Sequence, residues 1–195
     1  MSDRLQKQIS FLLELDQLKA VLRRSYLLNQ ERRENSAEHS WHVAMLANVL
    51  AEYADEPVDI DRVTKMLLLH DIVEIDAGDT MVYDVEARKG KAAKEAAAAI
   101  RIFGLLPDDQ AESLRSVWQE FEDCESPEAR FARALDRLMP LLHNIHTQGR
   151  TWKENGIRKH QVLEVNAHME KGSVRLWEYV RKSIEEAAER GDLPT

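Results

Sequence analysis

One stretch constrains this 195-residue chain more than any other: Leu67-Leu68-Leu69-His70-Asp71-Ile72-Val73-Glu74-Ile75-Asp76-Ala77-Gly78-Asp79. A strongly apolar run ends abruptly in a histidine and an aspartate, and further acids follow around a glycine. Ile60, Val63, Leu67 and His70 recur at helical spacing, so His70 continues the stripe that faces a core. An imidazole beside a carboxylate at the buried end of a helix is costly without a partner. Two kinds of partner suit it. One is a set of ordinary hydrogen bonds at the helix end; the other is a metal ion, which accepts both side chains at once.

The rest of the chain has the same helical period, with no convincing alternating strand. Leu5, Ile9, Leu12, Leu15, Leu18 and Leu22 mark a first amphipathic helix. The polar segment from Arg23 to Ser36 reads as an ordered loop. A second helix starts at Ser36, with Ser36 as its N-cap and Glu38 in the first turn, and runs to about Tyr53. A third covers Asp59 to His70, and Gly78 allows a tight bend after it. Thr80 to Gly90 has no clear period and reads as a flap. Ala92 to Phe103, a segment opened by Pro107, and Glu128 to Leu142 are the next helices, and a polar stretch from His143 to Asn155 follows. Ile157 to Met169 and Ser173 to Arg190 complete the chain. The expected architecture is all-α, a single domain over 1–195 with a bundle of roughly eight helices.

A formal charge of −8 argues against nucleic acid or an anionic membrane as the main partner. Cys124 is the only cysteine, so neither an internal disulfide nor a thiol-rich metal site is available, and its acidic neighbours disfavour a reactive thiolate. Charged residues interrupt the apolar positions of the N-terminus, and no apolar run approaches a membrane span. These features give a cytoplasmic expectation.

Seven histidines are present. His39 and His42 lie three apart on the second helix and share its face with Leu46 and Leu50. One of them, together with His70 and Asp71, makes three ligands of a type that suits a transition ion. Asp136 lines up with Ala129, Ala132 and Met139 on an apolar stripe. An aspartate there is either a metal ligand or an ion-pair partner of Arg133 or Arg137.

Taken together, Glu38-His39-Ser40, His70-Asp71 and Ala134-Leu135-Asp136 resemble the signature of the HD-domain metal-dependent phosphohydrolases. With Glu74 and Gly78-Asp79 downstream, the pattern is similar to the branch that contains bacterial 5′-deoxynucleotidases. It covers about Leu18 to Leu142. The resemblance implies His39, His70, Asp71 and Asp136 as metal ligands, and Glu74 and Asp79 in acid–base or water-positioning roles. It also implies that Arg23 contacts substrate, with Arg24 as the alternative. Dinuclear members of that superfamily use further histidines between the HD pair and the last aspartate, and none lies between Asp71 and Asp136 here, so the resemblance implies one divalent transition metal per chain, of the Mn, Co, Fe, Ni or Zn group.

The implied activity is phosphate release from a small phosphate ester, a nucleoside 5′-monophosphate above all. The alternative is a helical regulatory or ligand-binding module with a structural metal. Homodimerisation is likewise implied by resemblance. The stripe Trp177, Val180, Ile184 and Ala187 is free to pack on the domain or on a second copy.

Overall fold

The computed structural model describes residues 3–84, 86 and 89–195. Helix α1 (Asp3–Glu14) passes into a 3₁₀ turn over Leu15–Ala20 and stops well before Leu22. The chain then extends as β1 (Leu22–Tyr26), which pairs antiparallel with β2 (Arg33–Asn35). The segment expected as a loop is therefore a short hairpin. Its strands are rich in arginine and lack an apolar alternation, so cation–π contacts do the work of a hydrophobic face. The guanidinium groups of Arg33 and Arg150 lie 5.0 and 3.6 Å from the centre of the Tyr26 ring.

Helix α2 (Ser36–Val49) begins with a capping box. Asn35 accepts from the Glu38 N–H, and the Glu38 carboxylate accepts from the Asn35 N–H. The cap is thus Asn35 and not Ser36, whose hydroxyl is used elsewhere. Asp59 caps α3 (Ile60–Leu69) by accepting from the Asp61 and Arg62 N–H groups. This helix buries Val63, Met66 and Leu67 and leaves His70 at its C-terminal end. A tight turn leads into α4 (Glu74–Ala77), closed by Gly78 at φ 73°, a left-handed φ that suits glycine.

Helices α5 (Lys91–Phe103) and α6 (Asp108–Asp123) follow. Between Gly78 and α5, Val85, Ala87 and Arg88 of the expected flap lie outside the described residues. The central helix is α7 (Pro127–His146), opened by Pro127 in its first turn and by the Ser126 hydroxyl, which accepts from the Ala129 N–H. Helices α2, α3 and α6 pack on it, as does β1. It continues beyond Leu142 because His143 and Asn144 are themselves buried.

The chain ends with α8 (Arg150–Glu154), α9 (Lys159–Asn166) and α10 (Val174–Glu189). Trp177, Val180, Ile184 and Ala187 are buried within this chain, with α10 against α7, so that stripe packs on the domain. No helix among the described residues is long and apolar enough to cross a membrane.

Gly149 joins α7 to α8 at φ 69°, and a Cβ placed there would stand 1.8 Å from the Asp192 carbonyl oxygen. Gly149→Ala is therefore expected to destabilise the protein by ~3 kcal/mol or more, since neither backbone can yield. Chemical denaturation with a two-state fit checks this. A loss below ~1 kcal/mol would show that the turn tolerates a side chain.

Candidate metal centre and active site

Three helices bring distant residues to one point. The capping box fixes the first turn of α2 and sets His39 on its inner face. His70 ends α3, and Asp136 lies on the buried face of α7. His39 Nε2 is 3.1 Å from Asp136 Oδ1, and His70 Nε2 is 3.5 Å from the same oxygen. The two imidazole rings stand 5.6 Å apart, centre to centre. Ligand atoms of His39, His70 and Asp136 all lie within 4.8 Å of one another, and all three residues are buried. Asp71 joins from the side: its Oδ1 is 3.2 Å from His70 Nε2, while its Oδ2 accepts from Arg23 Nη1 at 2.5 Å.

This arrangement fits a cation. His70 Nδ1 donates to the Leu67 carbonyl at 2.8 Å, which fixes the ring and leaves Nε2 facing two carboxylates without a hydrogen-bond partner. Burial disfavours charge on that ring, but Asp71 and Asp136 overcome it and push the His70 pKa up to about 10. Against burial, neighbouring groups hold both carboxylates well below their usual range: Asp71 by the charges of His70 and Arg23, Asp136 by the charge of Arg137 and hydrogen bonding to His39 and His70. The pocket thus demands positive charge between its carboxylates. In the metal-free protein a proton on His70 supplies part of it, and a divalent ion would replace that proton. Two imidazoles with carboxylates suit Mn²⁺, Co²⁺, Fe²⁺, Ni²⁺ or Zn²⁺.

The acids beyond His70-Asp71 occupy a different environment. Glu74 is 4% exposed and accepts from the Ser36 hydroxyl at 2.7 Å. Burial and the charge of Asp71 push its pKa up to about 8, against the pull of Arg23. Asp79, past the bend at Gly78, is also raised, chiefly by burial. The hairpin sets the two arginines apart, although both line the same cleft. Successive strand residues point to opposite sides, so Arg23 turns inward to Asp71 while Arg24 is exposed. Arg23, Asp79, Tyr83, Arg137, Trp152 and Asn166 line a cleft at this mouth.

Two buried residues were not legible as site residues. Glu34 of β2 has its Oε2 3.3 Å from His39 Nδ1, 3.7 Å from Arg23 Nε and 3.8 Å from His143 Nδ1. An acid in an arginine-rich stretch reads as solvated, and only the hairpin turns it inward. His143 follows Asp136 by seven residues, two helical turns, and that spacing was the available signal. His42 lies outside the His39–His70–Asp136 cluster and groups instead with Glu34 and His143.

The HD-domain family description matches residues 15–177, a span that contains every residue of this cluster. The chain belongs to the HD-domain family. A crystal structure from Magnetospirillum magnetotacticum MS-1, described as a predicted metal-dependent phosphohydrolase, is similar to this HD domain. It is 52% identical, with a TM-score of 0.94 and full coverage of both chains. Human 5′-deoxynucleotidase HDDC2 is 32% identical over 135 residues, which are 69% of this chain and 65% of the human protein. This match therefore spans slightly less than two thirds of that relative. A conserved hypothetical protein from Pyrococcus furiosus shares the fold at 23% identity and a TM-score of 0.61.

Proposed function

We propose that this HD-domain protein is a metal-dependent phosphomonoesterase that releases phosphate from nucleoside 5′-monophosphates. The observation that carries the reading is the buried convergence of His39, His70 and Asp136, with Asp71 against His70, Glu74 buried against Ser36 and Asp79 lining the cleft. A purely structural metal would not call for Glu74 and Asp79 held with raised pKa values beside it. The similarity to the human deoxynucleotidase and to the Magnetospirillum protein supports the same class.

His39, His70, Asp71 and Asp136 would hold one catalytic cation. When bound, such an ion lowers the pKa of the attacking water and polarises the phosphoryl group. Arg23 binds phosphate through a guanidinium that Asp71 already orients. Glu74, fixed by Ser36, takes the proton of the attacking water. Asp79 approaches from beyond Gly78 and gives a proton to the departing sugar oxygen.

The test is phosphate release from a panel of ribo- and deoxyribonucleoside 5′-monophosphates, with Mn²⁺, Co²⁺ or Zn²⁺ added to chelator-treated protein. Activity restored by one or more ions, and absent before their addition, is the expected outcome. No phosphate release from any nucleotide with any ion would favour the regulatory module. Self-association belongs to the same reading. Trp41, Met45 and Val49, spaced four apart, form an exposed apolar stripe on α2 suited to a second copy. A monomeric mass by light scattering at micromolar concentration would remove that part.

A further inference from the structure

Beside the metal centre, and outside it, Glu34, His42 and His143 meet. Each offers one ligand atom, and these atoms all lie within 4.8 Å of one another. The cluster repeats the first one further along the same two helices. His42 follows His39 by three residues on α2, and His143 follows Asp136 by seven on α7, so both faces are reused one and two turns on.

Glu34 and His143 are only 1% and 3% exposed, yet Glu34 Oε2 and His143 Nδ1 have no hydrogen-bond partner and face each other at 3.8 Å. Leaving a buried carboxylate oxygen and a ring nitrogen unsatisfied is costly, and a cation satisfies both. The His42 ring meets the His143 ring nearly edge-on, with centres 6.3 Å apart, and His42 is only half-buried, which gives access from solvent. Arg23 Nε also faces Glu34 Oε2 at 3.7 Å, while its Nη1 is held by Asp71.

We propose that Glu34, His42 and His143 form a second cation site, separate from the catalytic centre and suited to a borderline ion such as Zn²⁺. Three protein ligands of this kind leave a position for water. Glu34 also faces His39 at 3.3 Å, so a cation here draws electron density from the carboxylate that touches a ligand of the first centre. The two sites are thereby coupled. The site does not depend on the hydrolase reading, because its test counts metal and not turnover.

Chelator-stripped full-length protein is saturated with Zn²⁺, freed of excess metal and assayed for zinc by elemental analysis. The unsubstituted chain is expected to retain about two equivalents, and His42→Ala, His42→Gln and Asp136→Ala about one each. Combining His42→Ala with Asp136→Ala is expected to leave close to none. Because His42 is half-buried, both of its variants keep the core, and circular dichroism confirms the fold. An unsubstituted chain that retains only one equivalent, or His42 variants that retain as much zinc as it does, overturns the second site.

Discussion

His70→Ala is expected to remove the catalytic cation and phosphate release together, with turnover down by ~10³-fold or more. Several kcal/mol of transition-state charge stabilisation are lost with the ion, at about 1.4 kcal/mol per tenfold in rate. The size of the effect follows from where the ring stands. Its Nε2 lies 3.2 Å from Asp71 Oδ1 and 3.5 Å from Asp136 Oδ1, and its Nδ1 is pinned to the Leu67 carbonyl. Alanine removes a ligand and leaves two carboxylates facing each other without the charge that balanced them. Asp71→Ala is expected to reach the same endpoint by a second route, because it also releases Arg23. Elemental analysis beside a phosphate-release assay reads both losses. A variant that keeps its full metal content while turnover falls would move His70 from cation binding to substrate handling.

Glu74→Gln is expected to keep the cation and cost ~10²-fold or more in kcat, with KM little changed. Glutamine preserves the volume and can still accept from Ser36, so the change removes proton transfer and little else. The buried Glu74 carboxyl has its pKa pushed up to about 8 by burial and Asp71, with Arg23 opposing. A cation at the centre acts in the same sense as Arg23 and draws it down toward neutrality, where a group both accepts and returns protons readily. The pH profile of kcat/KM separates this role from a structural one. The acidic limb set by Glu74 is expected to vanish in Glu74→Gln. An unchanged limb, or near-normal kcat, would take Glu74 out of the chemistry.

The helices were legible in the sequence because their apolar stripes have one period and their caps are conventional. Asp59 marks a start that the structure keeps. Reading failed where polar groups point inward. The helical stripe of α7 seemed to end at Leu142, since His143 and Asn144 look like surface residues, yet both are buried and the helix runs to His146. The β1–β2 hairpin was missed for a related reason. Its inward residues are Arg23, Ser25 and Glu34, so no hydrophobic alternation announces a strand. His39, His70, Asp71 and Asp136 were singled out because each interrupts an apolar pattern or belongs to a family motif, and their side chains meet in the structure. Glu34 interrupts only other charges, and nothing local distinguished it. Its environment comes from pairing across the hairpin and from α7, which are non-local facts.

The grip of Arg23 on Asp71, with Arg137 beside Asp136 at 3.6 Å, has a practical consequence. The pocket carries its own counter-ions, which offset repulsion among the acids. Small zinc-nucleated domains, by contrast, lose their fold with the ion. Here removal and reconstitution of the cation are expected to be reversible, with the fold retained throughout.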